Sequence, residues 1–292
     1  MSGGRTLVTG WFSFPRGEAT AGDVLALRHV EARLKLAGAS YDVAWSPGLR
    51  SQAVSLDDAD PQRYSRLLFV CGPVAGEQIA ALHERFAHCF RVALGVSTVD
   101  PADPALSGFH RVMSRDGPGT LRGRVDLAAS APAEKPVPVA GVVLSGGRRE
   151  CGTGVRDDAV AEALTSWMCG KNCARLELDT RLDARDWRRS ATCGQYLSVL
   201  ERLDVVVTDR LHGLVLALRS GVPALAVDPV DGGGTVSAQA RVCRWPAVLH
   251  PEDVTPRLLD HWWAWCLGRG RELAAERGRD FRARRPARYP SP

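Results

Sequence analysis

Between Val139 and Val227 short apolar runs alternate with segments of helical period, and that alternation leaves few folds open. Val139 to Leu144 reads as a buried strand, and Val160, Ala163, Leu164 and Trp167 then recur at helical spacing. Leu176 and Leu178 mark the next strand; Tyr196, Leu197, Leu200 and Leu203 mark the next helix. Val205 to Val207, Leu214 to Leu218 and Ala224 to Val227 continue the series as strand, helix and strand. Strands joined by short helical connections require right-handed crossovers, so the fold class is α/β, with a mostly parallel sheet covered on both faces.

The first half repeats the habit less cleanly. Thr6 to Trp11 reads as a strand, and Val24, Leu27, Val30 and Leu34 line one face of a helix that Gly38 ends. Strands follow at Tyr41 to Trp45, Leu67 to Cys71, Val92 to Val96 and His110 to Met113, with a helix around Gln78 to Phe86. Leu127 to Pro138, rich in Ala and Pro, has no periodic pattern and reads as the linker. The division expected is an N-terminal Rossmann-like domain over 1–130, a C-terminal one over 131–268, and a basic tail over 269–292. A chain of 292 residues suits two domains of ordinary size. In such sheets ligands lie beyond the carboxyl ends of the strands, so function is sought in the loops after Trp11, Cys71, Leu144, Val207 and Val227.

Charge and cysteine content narrow the classes. The net charge of +5 resides in the segment after Gly268, which carries eight arginines against Glu272, Glu276 and Asp280. No aromatic residue is interleaved there before Phe281, so base stacking and a nucleic-acid partner are not expected. The longest stretch free of Asp, Glu, Lys and Arg, Pro136 to Gly147, is 12 residues, short of the roughly 20 that cross a bilayer. Met1 to Thr9 lacks an export signal, so a cytoplasmic protein is expected. The eight cysteines form no C-x-x-C pair, and neither a metal site nor a cofactor is expected. Trp262, Trp263 and Trp265 predict a helix near Thr255 to Leu267 that bridges the two halves or meets a second copy in a homo-oligomer.

Val205 to Pro229 carries the strongest chemical signal. A buried strand runs into Thr208 and Asp209, either of which can cap a helix, and the helix starts near Arg210 to His212. Unpaired amides at a helix start favour an anion, and Arg210 and His212 add to that preference. Gly213 continues this turn, and Asp209 stands ready to pair with Arg210 or to face a ligand. After the next strand, Gly232 to Thr235 followed by Ser237 and Gln239 offers a second glycine-rich anion loop, through Gly233, Gly234, Thr235, Ser237 and Gln239. Three glycines equally suit a plain turn. Ser145 to Gly154 is a third glycine-rich loop but holds only a fragment of a dinucleotide fingerprint.

Taken with Gly22-Asp23 and Ser114-Arg115-Asp116, the Thr208 to Asp228 segment resembles the polysaccharide pyruvyl transferase family. The resemblance rests on Arg210-Leu211-His212, a buried helix, then Gly221-Val222-Pro223; Asp126-Leu127-Ala128 resembles a further family step. It implies two Rossmann-like parallel-sheet domains facing across a cleft, similar to the GT-B architecture. It also implies transfer of a pyruvyl unit from phosphoenolpyruvate to a glycan or small hydroxylated acceptor. Arg210 and Arg115 would hold anionic oxygens, His212 would move the proton, and Asp23 would lie at the site. The sequence departs from the family at Thr235, where a Lys is usual, and between Asp116 and Asp126, too short for the usual helix. Another anionic donor is therefore an alternative, as in a GT-B glycosyltransferase using a nucleotide sugar, and so is a binding protein without catalysis.

Overall fold

Each half of the chain builds its own five-stranded parallel sheet. The computed structural model describes residues 4–15, 19–118, 123–145 and 156–283, and the chain divides into two units, Met1–Glu134 and Lys135–Pro292. The first unit contains β1 (Arg5–Thr9), α1 (Ala21–Leu36), β2 (Tyr41–Val43), β3 (Tyr64–Val70), α2 (Glu77–Arg85), β4 (Phe90–Ser97), α3 (Pro104–Ser107) and β5 (Arg111–Asp116). Its sheet order is β2-β1-β3-β4-β5. The second contains β6 (Val139–Val143), α4 (Asp157–Cys169), β7 (Ala174–Glu177), α5 (Cys193–Leu200), β8 (Val205–Thr208), α6 (Leu211–Arg219), β9 (Ala224–Val227), α7 (Thr235–Val242) and β10 (Val248–Leu249). Then come α8 (Pro256–Leu267) and α9 (Arg269–Ala283), and the sheet order is β10-β9-β8-β6-β7.

Numbered within each unit, both orders are 2-1-3-4-5. This doubly wound arrangement reverses direction between its first and third strands, and ligands gather at that switch point. In the first unit the switch lies beyond β1 and β3; in the second, beyond β6 and β8.

Local chemistry accounts for most boundaries. Thr20 caps α1 in a reciprocal box with Asp23, and Gly38, at φ +63°, turns the chain away after it. β8 and β9 are buried along their whole length, as strands covered on both faces must be. β10 was not expected, because two residues carry no period. β5 runs three residues further than its expected end, which places Arg115 and Asp116 at the strand's terminus.

Two expectations are corrected. Leu127–Ser130, expected to open the linker, forms a short 3-10 turn against α1, where His29 Nδ1 donates to the Ser130 carbonyl at 2.9 Å. The segment expected as a basic tail is α9 as far as Ala283, with Gly270, Ala274 and Gly278 buried; residues 284–292 lie outside the described residues. The tryptophans of α8, each half-buried, meet rings of their own unit: Trp265 meets Trp245 at 5.2 Å and Trp262 at 5.5 Å, and Trp263 meets Trp167 at 5.6 Å between centroids. No helix among the described residues is long and apolar enough to cross a membrane.

Candidate active site

The turn after β8 is held by its own side chains. Thr208 Oγ1 donates to the Val143 carbonyl at 2.8 Å and accepts from the Arg210 amide at 2.9 Å, so one hydroxyl ties β8 to β6 and shapes the entry to α6. Asp209, 2% exposed, accepts from the Ser145 amide at 3.0 Å, a second tie between the two strand ends. Neither residue caps the helix in the manner expected: Arg210 occupies the N-cap position in extended conformation, without a side-chain cap. Among the described residues, the first-turn amides of α6 therefore have no intrahelical acceptor and no bond from the N-cap side chain.

Gly213 has a packing role at the start of α6. A Cβ there would lie 2.1 Å from Thr208 Oγ1, so only glycine lets α6 approach the end of β8 this closely.

Arg210 and His212 border a cavity of about 450 Å³, with Ser145, Thr180, Arg181 and Thr235 on its other walls. His212 is exposed, and the Arg210 side chain retains 17% exposure. Arg210 Nη1 donates to Thr180 Oγ1 at 3.0 Å and to Asp179 Oδ1 at 3.3 Å. Asp179 also takes Arg181 Nε at 2.7 Å, and Arg189 stands 3.8 Å away. Partial burial pushes the Asp179 carboxyl upward, but the Arg181 hydrogen bonds and the charges of Arg181 and Arg210 outweigh it and hold the group at about 2. Three guanidiniums thus gather around one carboxylate at the cavity wall. Asp179, Thr180 and Arg181 carry one signal in the sequence, their position just after a strand, β7.

The second glycine-rich loop is already occupied by a carboxylate of its own chain. Asp228, fully buried, accepts from the Gly234 amide at 2.6 Å, the Ser237 amide at 2.7 Å and the Val230 amide at 3.1 Å. Burial alone would raise its pKa, yet these amides hold it below the usual carboxylate range. The anion expected from outside at Gly234 and Ser237 is therefore Asp228 itself. Gly233, at φ +92°, turns the loop beneath His250, and Gln239 lies a turn into α7; of the loop residues singled out from sequence, only Thr235 lines the cavity. The Ser145 to Gly154 loop lies outside the described residues beyond Ser145.

In the first unit, Asp23 and Arg115 line a cavity of about 520 Å³ beyond β1, β3 and β5, together with Trp11, Cys71 and Asp126. Arg115 pairs with Asp126, donates to Ser97 Oγ at 2.6 Å and to Asp116 Oδ2 at 2.9 Å, and so is already matched by carboxylates. Asp23 is engaged with the amide and hydroxyl of Thr20 at 2.9 and 2.8 Å. Cys71 has φ +64°, and burial lifts its thiol to about 11 although the Gly72 amide opposes the shift. Trp11 fills the space above Gly72, where a Cβ would lie 2.2 Å from the ring. The sequence placed Asp23 at the site but did not single out Trp11 or Cys71; backbone strain at Cys71 leaves no mark in residue type.

The model of the polysaccharide pyruvyl transferase family matches residues 189–231, which run from before α5 through β8, α6 and β9 and contain Asp209, Arg210 and His212. No curated protein matches the chain. Among solved structures, Spinosyn Forosaminyltransferase SpnP is 15% identical, over 97% of this chain and 96% of that one, at a TM-score of 0.37. Acinetobacter baumannii MurG is 12% identical over 94% and 95%, at 0.30. E. coli heptosyltransferase WaaC with ADP is 14% identical over 93% and 99%, at 0.28. The fold assignment rests on the two sheets themselves rather than on these distant likenesses.

Proposed function

We propose that the chain is a pyruvyl transferase that takes phosphoenolpyruvate as donor and a sugar or other hydroxylated molecule as acceptor. The carrying observation is that Arg210, His212 and the start of α6 converge on one cavity at the carboxyl end of β8, within the segment that matches the family. Arg210 and Arg181 hold the donor's carboxylate or phosphate, and the α6 amides add a partial positive charge. His212 gives a proton to C3 of the enol while an acceptor hydroxyl adds at C2. The hydroxyl's proton restores His212, the C2–O bond to phosphate then breaks, and a second hydroxyl captures the oxocarbenium. Its proton leaves with the phosphate, and the product is a cyclic ketal.

The test compares His212→Gln and Arg210→Lys in single turnover with phosphoenolpyruvate, with melting curves on the same preparations. His212→Gln should leave donor affinity nearly intact while turnover falls about 100-fold to 10,000-fold. Arg210→Lys should chiefly weaken donor binding, because an ammonium cannot reproduce a two-pronged contact. Full activity in His212→Gln would overturn the assignment, as would losses that track the unfolded fraction.

One observation favours a second reading. Arg181 and Arg210 also border, together with Asp179, a neighbouring cavity of about 530 Å³ walled by Val142, Leu144 and Met168, more room than phosphoenolpyruvate needs. A nucleotide sugar would use it. Titration with phosphoenolpyruvate and with nucleotide sugars side by side separates the two donors.

A further inference from the structure

Among the described residues, the sheet of the first unit has one well-covered face and one that is only half covered. Beneath α2 and α3, Leu67, Phe69 and Ala93 are buried. On the opposite face Ala26, Leu27 and Val30 of α1 pack with Val8 and Val70, but Leu68, Leu94 and Met113 keep part of their surface open. These last three share a face by register: Val70 pairs with Leu94, and Leu94 with Met113. The described residues between β5 and Leu127 form no helix that could cover them. Leu127 reaches in, close enough that a Cβ on Gly95 would meet its Cδ1 at 2.7 Å.

What remains is a cavity of about 440 Å³, floored by Leu68, Leu94 and Met113 and walled by α1 and the 124–127 segment. Its charge is one-sided. Arg33, Arg124 and Arg115 border it, and no described lining residue is a carboxylate. Arg115 is matched by Asp126, but among the described residues neither Arg33 nor Arg124 is paired with an acid. A half-wet apolar floor favours a hydrocarbon, and two unmatched guanidiniums at the mouth favour an anion. An uncharged hydrocarbon would leave the arginines unmatched, and a small inorganic anion would leave the floor wet.

We infer that this cavity binds an anion with an apolar body, a medium-chain alkyl or aryl carboxylate or phosphate, its body on Leu68, Leu94 and Met113 and its head at Arg33 and Arg124. The volume suits a ligand of roughly ten to twenty non-hydrogen atoms. The site rests on the first unit alone and does not depend on the donor chemistry of the second.

Calorimetric titration of the full chain with octanoate and with octyl phosphate below its micelle threshold, against octanol and inorganic phosphate, tests the inference. At least one of the two amphiphiles should bind at a single site, at least tenfold more tightly than octanol or inorganic phosphate, and the tighter of the two identifies the head group. Arg33→Ala and Arg124→Ala should each weaken binding about fivefold, the effect of losing one partly exposed charge pair, and added salt should weaken it further. The chain has three methionines, Met1, Met113 and Met168, so methyl resonances locate the ligand without mutation. The Met113 methyl should shift on saturation while Met168, in the second unit, stays in place. Octanol or inorganic phosphate binding as tightly as the amphiphiles, unchanged affinity in both arginine variants, or a shift of Met168 in place of Met113 would each overturn the assignment.

Discussion

At the residue scale, Gly213 and Asp179 show how differently two positions of one site are constrained. A methyl at position 213 would collide with the Thr208 hydroxyl that joins β6 to β8, and Thr208 cannot withdraw without breaking its hydrogen bond to the Val143 carbonyl. Gly213→Ala should therefore cost about 2 to 3 kcal/mol, read as a melting temperature lower by about 5 to 10 °C. Asp179 acts through charge. Its folded pKa, about 2, lies below the ordinary carboxylate value, so it contributes stability that is fully present above about pH 4 and lost as pH falls toward 2. That contribution is of order 2 kcal/mol, and Asp179→Asn should both destabilise the protein at neutral pH and flatten its acid limb between pH 4 and 2. Equal acid limbs in chemical-denaturation curves of the two proteins would contradict this. Arg210 and His212 could be singled out from sequence because a guanidinium and an imidazole at a helix start directly after an apolar strand suit an anion. Asp179 was not, since Asp-Thr-Arg in a polar loop reads as solvated surface until Arg210 is seen to reach it.

At the element scale, hydrophobic period located nearly every strand and helix, but it could not say what a loop's amides would bind. Gly232 to Thr235 has the composition of an anion loop and folds as one; the anion is Asp228, two, six and nine residues before the amides of Val230, Gly234 and Ser237 that it accepts from. Composition cannot separate a ligand from a nearby carboxylate of the same chain. The arginine-rich end was misread for a related reason. In α9 small residues at 270, 274 and 278 recur every four positions, giving a narrow flat stripe that a hydrophobicity pattern overlooks. There Gly278 lies against Gly221, where a Cβ would meet backbone at 2.9 Å, while Arg282 donates to the Arg219 carbonyl at 2.8 Å and satisfies the end of α6. Because α9 lies against the helix that presents Arg210 and His212, truncation after Gly268 should lower stability by several kcal/mol rather than trim a free tail. Limited proteolysis should accordingly spare residues 270–283 and cut near Ala131 to Lys135, outside the strands and helices. Early cleavage within α9 would show that its docking is weak.

At the scale of the whole molecule, the two units share one strand order without sharing a detectable sequence repeat, because 2-1-3-4-5 winding is fixed by crossover handedness and burial rather than by particular residues. What differs is the chemistry at the switch point: matched carboxylates around Arg115 and a buried thiol in the first, convergent arginines and an exposed histidine in the second. Each unit also closes its own core. Phe12, Phe69 and Phe86 are fully buried in the first and Leu200, Leu214 and Leu225 in the second, within separate clusters. Independent cores predict independent folding. Residues 1–134 and 135–292 expressed apart should each give a cooperative thermal transition and native-like circular dichroism. The second fragment, which holds the whole Arg210–His212 cavity, should bind phosphoenolpyruvate within about threefold of the intact chain if its donor contacts lie in that unit alone. A fragment that folds but binds at least tenfold more weakly would mean that residues of 1–134 complete the donor site, and a fragment that fails to fold would mean that the two cores are not independent after all.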